Sequence, residues 1–416
     1  MKILVDENIP LARELFGSLG EVTLVSGREV DEHYPGLEEF DALAIRSVTK
    51  VTPALVDRAV NVKVIGTATI GTDHMDVAYI EEANRSRQNA ITVLSAPGSN
   101  AESVADHVWF ALAALTGERG QRLTGRSLGI IGCGNCGSRV ARRAEGFDVE
   151  VLRHDPPLGE REAAFTSDSF EDTIRADFVT LHVPLTRQGA NRYPTYHMIG
   201  ATELARMKPT ACLINTSRGA VVDSGALIQA VKRGVIAGAV LDVYEGEPEP
   251  REELIRLPLL ATPHVAGYAI EAKRRGAIVI YEQMCRAFGL EPQDTRPLLM
   301  GGFEPPTELC VDFEAGGSVE AAADAAVRSL LAAVYDIRAT SQKLKRTLDR
   351  PERGAAFDRM RRDFERDYGR HELSVYRVGS DDSVSPGLRA GIETRLRGFG
   401  CRAVQEAPDY ILRVRR

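Results

Sequence analysis

The sequence predicts an α/β protein: two doubly wound parallel-sheet domains followed by a small α+β domain at the C-terminus. Three observations carry this prediction. Short apolar runs alternate with helical stretches from Ile3 to about Phe288, the pattern of strand–helix–strand units. A glycine cluster, Gly132-Cys-Gly-Asn-Cys-Gly137, sits between one such run and a helical stretch. Beyond Leu290 the alternation gives way to Pro- and Gly-rich segments and then to alanine-rich and charged helices.

In order, the first set of strands falls at Ile3–Val5, Val22–Val25, Ala42–Arg46, Val62–Gly66 and Ile91–Leu94, with helices such as Leu11–Leu19 and Pro53–Ala59 between them. A long helix from about Asn100 to Leu115 leads into the second set. There the strands are the run before Gly132, the run ending at Asp155, Phe178–Val183, Cys212–Thr216, Gly238–Val243 and Leu259–Thr262. A helix near Ile270–Phe288 crosses back to the first set and makes a hinge beside a cleft. The tail reads as a strand at Glu308–Phe313, a helix from Val319 to Thr347 and a charged helix from Arg353 to Tyr368. A strand at Glu372–Val378, a helix at Gly387–Gly398 and a last strand follow. The domains are therefore 1–99 completed by 271–290, then 100–270, then 291–416.

At 416 residues the chain is long enough for several large cores. A net charge of -7 gives no electrostatic reason to expect nucleic acid. No apolar run approaches the ~20 residues of a membrane span, and Met1-Lys-Ile-Leu-Val-Asp6 enters a strand without a signal peptide. The six cysteines are scattered, which predicts a cytoplasmic protein without a disulfide framework.

The glycine cluster follows an apolar strand, opens a helix and precedes an acid, Asp155, by about twenty residues; this is the dinucleotide fingerprint. Gly132 permits the tight turn, Gly134 lets backbone approach a pyrophosphate, and Gly137 lets helix and strand pack closely. The helix start near Asn135 and Cys136 offers free N–H groups and positive dipole to phosphate. Asp155 suits the ribose hydroxyls and repels a 2′-phosphate, favouring NAD over NADP. Cys133 and Cys136 form C-x-x-C, but both occupy variable fingerprint positions and lack a second cysteine or histidine pair, so no redox or metal role is expected.

Three further segments each follow a predicted strand, where ligands bind in open parallel sheets. Ile214-Asn-Thr-Ser-Arg-Gly places Arg218, Leu241-Asp-Val-Tyr-Glu-Gly-Glu-Pro places Glu247, and Ala261-Thr-Pro-His-Val-Ala-Gly-Tyr places His264. A guanidinium grips a carboxylate through its planar fork. An imidazole takes a hydroxyl proton as hydride leaves carbon, and a carboxylate orients that imidazole. Together they suit oxidation of a 2-hydroxy acid. The remaining histidines, including His74, His107 and His182, lack partnered motifs.

These motifs together resemble the D-isomer-specific 2-hydroxyacid dehydrogenases over roughly residues 1–290. That resemblance implies Arg218, Glu247 and His264 in the roles just described. Further matches at Ile3-Leu-Val-Asp-Glu-Asn-Ile-Pro10, Arg46-Ser-Val-Thr-Lys-Val-Thr52, Gly66-Thr-Ala-Thr-Ile-Gly-Thr-Asp-His74, Val334-Tyr-Asp-Ile-Arg338 and, in the charged helix, Phe357-Asp-Arg-Met-Arg-Arg362 point to one branch of that family. They imply NAD-dependent oxidation of 4-phospho-D-erythronate to 2-oxo-3-hydroxy-4-phosphobutanoate in vitamin B6 synthesis. They also imply a C-terminal dimerisation domain, and hence a homodimer. By position, the resemblance assigns Ser47, Thr69 and Tyr268 to the substrate, with Arg46 and Lys50 as nearby positive charges. It assigns Asp155, Val183, Thr216, Ser217, Arg218, Asp242 and Gly267 to NAD. Two alternatives are a dehydrogenase acting on the three-carbon 3-phospho-D-glycerate and a non-catalytic NAD(H)-sensing protein on the same fold.

Overall fold

Lys2–Asp6 (β1), Glu21–Val25 (β2), Ala42–Ile45 (β3), Val64–Thr67 (β4) and Thr92–Leu94 (β5) pair in parallel in the order β2-β1-β3-β4-β5. Ile3, Leu4, Val5 and all of Ala42–Ile45 are buried, without the in–out alternation of a one-sided sheet, because helices cover both faces. One of these is Ile270–Ala287, whose Ile280 and Met284 pack against Gly66. The computed structural model describes the chain apart from residues 119–122, 188, 190–191, 301–307, 313–317, 350–351, 381–383, 404–410 and 416.

The chain folds as two compact units, Met1–Asn100 with Ile270–Phe303, and Ala101–Ala269 with Glu304–Arg416. In the second unit, Arg126–Ile131 (β6), Val149–His154 (β7), Phe178–Leu181 (β8), Cys212–Asn215 (β9), Gly238–Leu241 (β10) and Leu260–Ala261 (β11) form a parallel sheet. Its order is β11-β10-β9-β8-β6-β7. Strand order reverses between β6 and β8, which opens a crevice at the carboxyl end of β6, where the glycine cluster lies. Glu308–Asp312 (β12), Arg377–Ser380 (β13), Arg402–Ala403 (β14) and Ile411–Arg415 (β15) build a smaller sheet, also parallel, in the order β12-β15-β13-β14.

The helix Ala101–Glu118 is apolar nearly all round, so it is buried on every side. Its Val108, Trp109 and Phe110 share one core with Leu128 and Ile130 of β6 and with Val327, Leu331 and Phe399 of the C-terminal segment. Its polar positions are used as well. Arg143 of the fingerprint helix is fully buried and donates to Asp106 at 2.6 and 2.9 Å and to Glu102 at 2.7 Å. Burial alone would raise the Glu102 carboxyl, but Arg143, with Arg142 and Arg139, holds it at about 2. That ion cluster fixes the azimuth of the fingerprint helix.

The tail departs from the sequence reading in three places. The helix expected from Val319 to Thr347 is two helices, Val319–Val334 and Ile337–Thr347, because Asp336 caps the second by accepting from the Arg338 and Ala339 N–H groups. The charged helix is likewise broken into Arg353–Arg362 and Phe364–Tyr368. The strand expected at Glu372–Val378 begins only at Arg377; Leu373–Val375 is a 3₁₀ turn whose Leu373 N–H donates to Asp106. Tertiary contact overrides local β-propensity there. The expected strand at Glu308–Phe313 runs to Asp312, and Phe313 lies outside the described residues.

Candidate active site

The fingerprint helix, Asn135–Ala144, starts directly behind β6. Gly137 is essential to that packing, since a Cβ there would fall 2.0 Å from the Gly132 carbonyl oxygen. Gly134 is different: it is exposed, no atom lies within 4 Å of where its Cβ would be, and no side chain caps the helix it precedes. The first N–H groups of the helix therefore face an open cradle, which suits a pyrophosphate. Asp155 stands at the end of β7, as the ribose-binding role requires. In this structure it also accepts from Cys133 N at 2.7 Å and Leu158 N at 2.9 Å, capping the short helix Pro156–Arg161. That cap holds the carboxylate against the glycine turn and leaves each oxygen a further lone pair. Burial pushes the Cys133 thiol up to about 12 and the Cys136 thiol to about 11, the reverse of an activated redox pair.

Val183, Thr216, Asp242 and Gly267 follow β8, β9, β10 and β11 in turn, so the positions assigned to NAD share one sheet edge with the fingerprint. After β9, Asn215 organises the loop: its Oδ1 accepts from Ser217 N at 3.0 Å and Ser217 Oγ at 2.9 Å, and its Nδ2 donates to the Arg218 carbonyl at 2.9 Å. Arg218 Nη1 donates to the Ser217 carbonyl at 2.8 Å, and its charge reaches the Cys136 thiol. The next residue must be glycine, because a Cβ on Gly219 would lie 1.9 Å from the Tyr244 carbonyl carbon. The loops after β9 and β10 are thus pressed together.

Asp242 organises the loop that carries His264. Its Oδ1 accepts from Thr262 Oγ1 at 2.6 Å and Val265 N at 2.8 Å, and its Oδ2 accepts from Ala266 N at 2.9 Å. His264 adopts φ +56°, in the left-handed region, which turns its imidazole back toward the neighbouring loop. Its Nδ1 lies 2.7 Å from Glu247 Oε2, while Glu247 Oε1 accepts from Tyr244 N at 2.8 Å. Both carboxylate oxygens are therefore pinned. The bond to Glu247 places the neutral ring's proton on Nδ1 and leaves Nε2 with a lone pair. Burial alone would depress the His264 pKa, but the charge and hydrogen bond of Glu247 outweigh it and raise it. Burial pushes Glu247 the other way, and His264, Arg361 and the Tyr244 N–H bring it below the usual range. Both shifts favour a charged imidazolium–carboxylate pair.

Arg46, Ser47 and Thr69 lie in the first unit, just beyond β3 and β4. Arg46 Nη1 donates to the Asn8 carbonyl at 3.0 Å, and Lys50 is exposed. His74 Nε2 contacts Thr67 Oγ1 at 3.1 Å, Thr67 contacts Thr69 at 2.7 Å, and Thr69 Oγ1 donates to the Gly71 carbonyl at 3.0 Å. The Thr69 proton thus closes its own turn, so the Thr67 hydroxyl donates to it and one Thr69 lone pair is left for another donor. Tyr268, in the second unit, accepts from Arg361 Nη2 at 3.4 Å.

Sequence reasoning passed over four residues that this site uses. Asn215 and Thr262 sit inside the quoted motifs, and a polar side chain at a strand end was the available signal. Tyr244 contributes its backbone N–H, which no sequence pattern reveals. Arg361 comes from a helix almost a hundred positions beyond Tyr268; its segment carries a family match, but nothing in it gives the residue a place at this site.

Residues 95–266 match the family described as D-isomer specific 2-hydroxyacid dehydrogenase, NAD binding domain. A relative from Salinibacter ruber, named erythronate-4-phosphate dehydrogenase, is 47% identical over 70% of this chain and 73% of its own length. Another of that name, from Chromohalobacter salexigens, is 36% identical over 96% of this chain and 98% of its own. The crystal structure of an NAD-dependent formate dehydrogenase from Staphylococcus aureus in complex with NAD superposes with a TM-score of 0.58 at 26% identity. It covers 71% of this chain and 98% of its own. With the fingerprint, the Glu247–His264 pair and these likenesses together, the chain belongs to the NAD-dependent D-isomer-specific 2-hydroxyacid dehydrogenases, in the erythronate-4-phosphate dehydrogenase group.

Proposed function

We propose that this chain oxidises 4-phospho-D-erythronate to 2-oxo-3-hydroxy-4-phosphobutanoate with NAD, a step of pyridoxal 5′-phosphate biosynthesis. The observation that carries the chemistry is the 2.7 Å contact between His264 Nδ1 and Glu247 Oε2, one strand end from Arg218 and on the same sheet edge as the fingerprint. The names of the relatives support the four-carbon phosphorylated substrate.

In this reading Arg218 holds the substrate carboxylate through charge-assisted hydrogen bonds. His264 Nε2 takes the hydroxyl proton, and Glu247 stabilises the imidazolium that results. Gly132, Gly134, Asn135, Cys136, Gly137, Asp155, Val183, Thr216, Ser217, Asp242 and Gly267 hold NAD, which when bound supplies the hydride acceptor. Ser47, Thr69 and Tyr268, with Arg46 nearby, meet the rest of the substrate. Residues 1–99 with 271–290 serve as the substrate domain, 100–270 as the NAD domain, and 291–416 as the surface of a homodimer. Among the described residues no helix is long and apolar enough to cross a membrane, and Cys133, Cys136, Cys285 and Cys401 are free thiols. Both fit a cytoplasmic enzyme.

The test offers 4-phospho-D-erythronate and 3-phospho-D-glycerate side by side to the purified protein and follows NADH absorbance, with a 2-oxo acid present to reoxidise tightly held cofactor. Preference for the four-carbon acid supports the proposal. Preference for the three-carbon acid moves the protein to serine synthesis, and silence with both while NAD is bound supports a sensor. Arg218→Ala is expected to lower kcat/KM on the order of a hundredfold while NAD affinity changes little; equal loss of both contradicts the carboxylate role.

A further inference from the structure

Beside the Glu247–His264 pair stands a second cation, carried by the segment Phe357-Asp-Arg-Met-Arg-Arg362. Arg361 lies on the helix Arg353–Arg362 of the C-terminal segment, and its side chain is only 16% exposed. Its Nη2 donates to Tyr268 Oη at 3.4 Å, a long bond. Its Nη1 is 3.9 Å from Asp358 Oδ1, beyond hydrogen-bond reach. Its Nε is buried with no hydrogen-bond partner. A guanidinium has five N–H donors in a rigid fork, and leaving a buried one such as Nε without a partner is costly unless a ligand completes it. The charge also faces the dyad, drawing the Glu247 carboxyl down and opposing the rise at His264.

We propose that Arg361, with the Tyr268 hydroxyl, is the site for the second anionic group of the substrate, its phosphate. The inference rests on the function proposed above, since only a phosphorylated hydroxy acid has such a group. Arg218 and Arg361 divide the work: one takes the carboxylate, the other the phosphate, with the reacting carbon between them at His264. Arg46, which donates to the Asn8 carbonyl, is the competing candidate for the phosphate. The segment that carries Arg361 is then a specificity element as well as a packing one.

The experiment compares the full-length wild type, Arg361→Gln, Arg361→Lys and Arg46→Gln. Each is assayed with 4-phospho-D-erythronate and with unphosphorylated D-erythronate, and inorganic phosphate serves as competitive inhibitor. Arg361→Gln should lower the ratio of the two kcat/KM values on the order of 10- to 100-fold, mainly through KM for the phosphorylated acid. It should weaken phosphate inhibition in parallel, and Arg361→Lys should restore part of both. NAD binding, measured separately, reports whether each variant folds. Equal loss on both substrates, or a ratio that falls in Arg46→Gln but not in Arg361→Gln, overturns the assignment while leaving the dehydrogenase reading intact. A wild type that does not oxidise 4-phospho-D-erythronate at all overturns both.

Discussion

Two imidazoles of the same unit stand beside carboxylates and are driven in opposite directions. His264 meets Glu247 at 2.7 Å and its pKa is raised. His107, on the helix Ala101–Glu118, has Asp242 only at 3.9 Å, is completely buried, and is pushed down to about 4. Burial outweighs the Asp242 charge there, and Arg370 adds to the depression. The hydrogen bonds explain how His107 stays neutral without being left unsatisfied. Thr262 Oγ1 spends its proton on Asp242, so it accepts from His107 Nε2 at 3.2 Å; His107 Nδ1 then accepts from Arg370 Nη1 at 3.2 Å. Arg370 in turn donates to Ser103 Oγ and to the Ala266 carbonyl. The lesson is that a direct, charge-assisted contact makes a base with a store of affinity for protons. A relay through a hydroxyl makes a rigid post, which here supports the loop bearing that base.

The largest separation between the two comes from removing each ring. His264→Asn should cut oxidation by about 10²- to 10⁴-fold with little change in melting temperature. His107→Leu should cost about 1–3 kcal/mol of stability by stranding Thr262 and Arg370, measured by denaturant unfolding. Comparable activity losses without any stability difference would remove the distinction.

A second contrast separates ligand space from packing. Gly137→Ala should lower stability markedly, because its Cβ has a carbonyl oxygen 2.0 Å away. Gly134→Val should leave stability nearly unchanged and weaken NAD binding, since its side chain enters open space. Calorimetric titration with NAD and thermal melts of both variants check this pair.

The smallest effect is a displacement in pH. Oxidation requires neutral His264, so activity should fall as pH drops through its raised pKa. Glu247→Gln removes the charge that raises it, so the acid limb of kcat/KM should move to lower pH in the variant, on top of a lower plateau. An acid limb that stays in place would show that Glu247 is not the group setting it.

Most of the fold was legible because the central strands of both large sheets, such as Ala42–Ile45 and Phe178–Leu181, are short buried runs bounded by turn signals. Gly132–Gly137 and Asp155 announce the crevice by spacing alone. Arg218, Glu247 and His264 were legible because each sits in a compact motif just after a strand. What stayed hidden depends on long-range contact. The break at Asp336, the 3₁₀ turn at Leu373 and the burial of Arg143 are decided by partners far away in sequence. His107 looked like an ordinary helix residue because Thr262 and Arg370 reach it from 155 and 263 positions away. The segment holding Arg361 was visible as a family match, but its place beside Tyr268 and Glu247 was hidden for the same reason.

The central claim, that a Glu247-raised His264 is the base of a phosphorylated 2-hydroxy acid dehydrogenase, is tested most directly by one profile. It is the pH dependence of kcat/KM for NAD-dependent oxidation of 4-phospho-D-erythronate, in wild type and Glu247→Gln. The expected result is a single acid limb above the ordinary histidine range in the wild type, displaced downward in the variant. A profile with no acid limb, or one identical in both proteins, would contradict it.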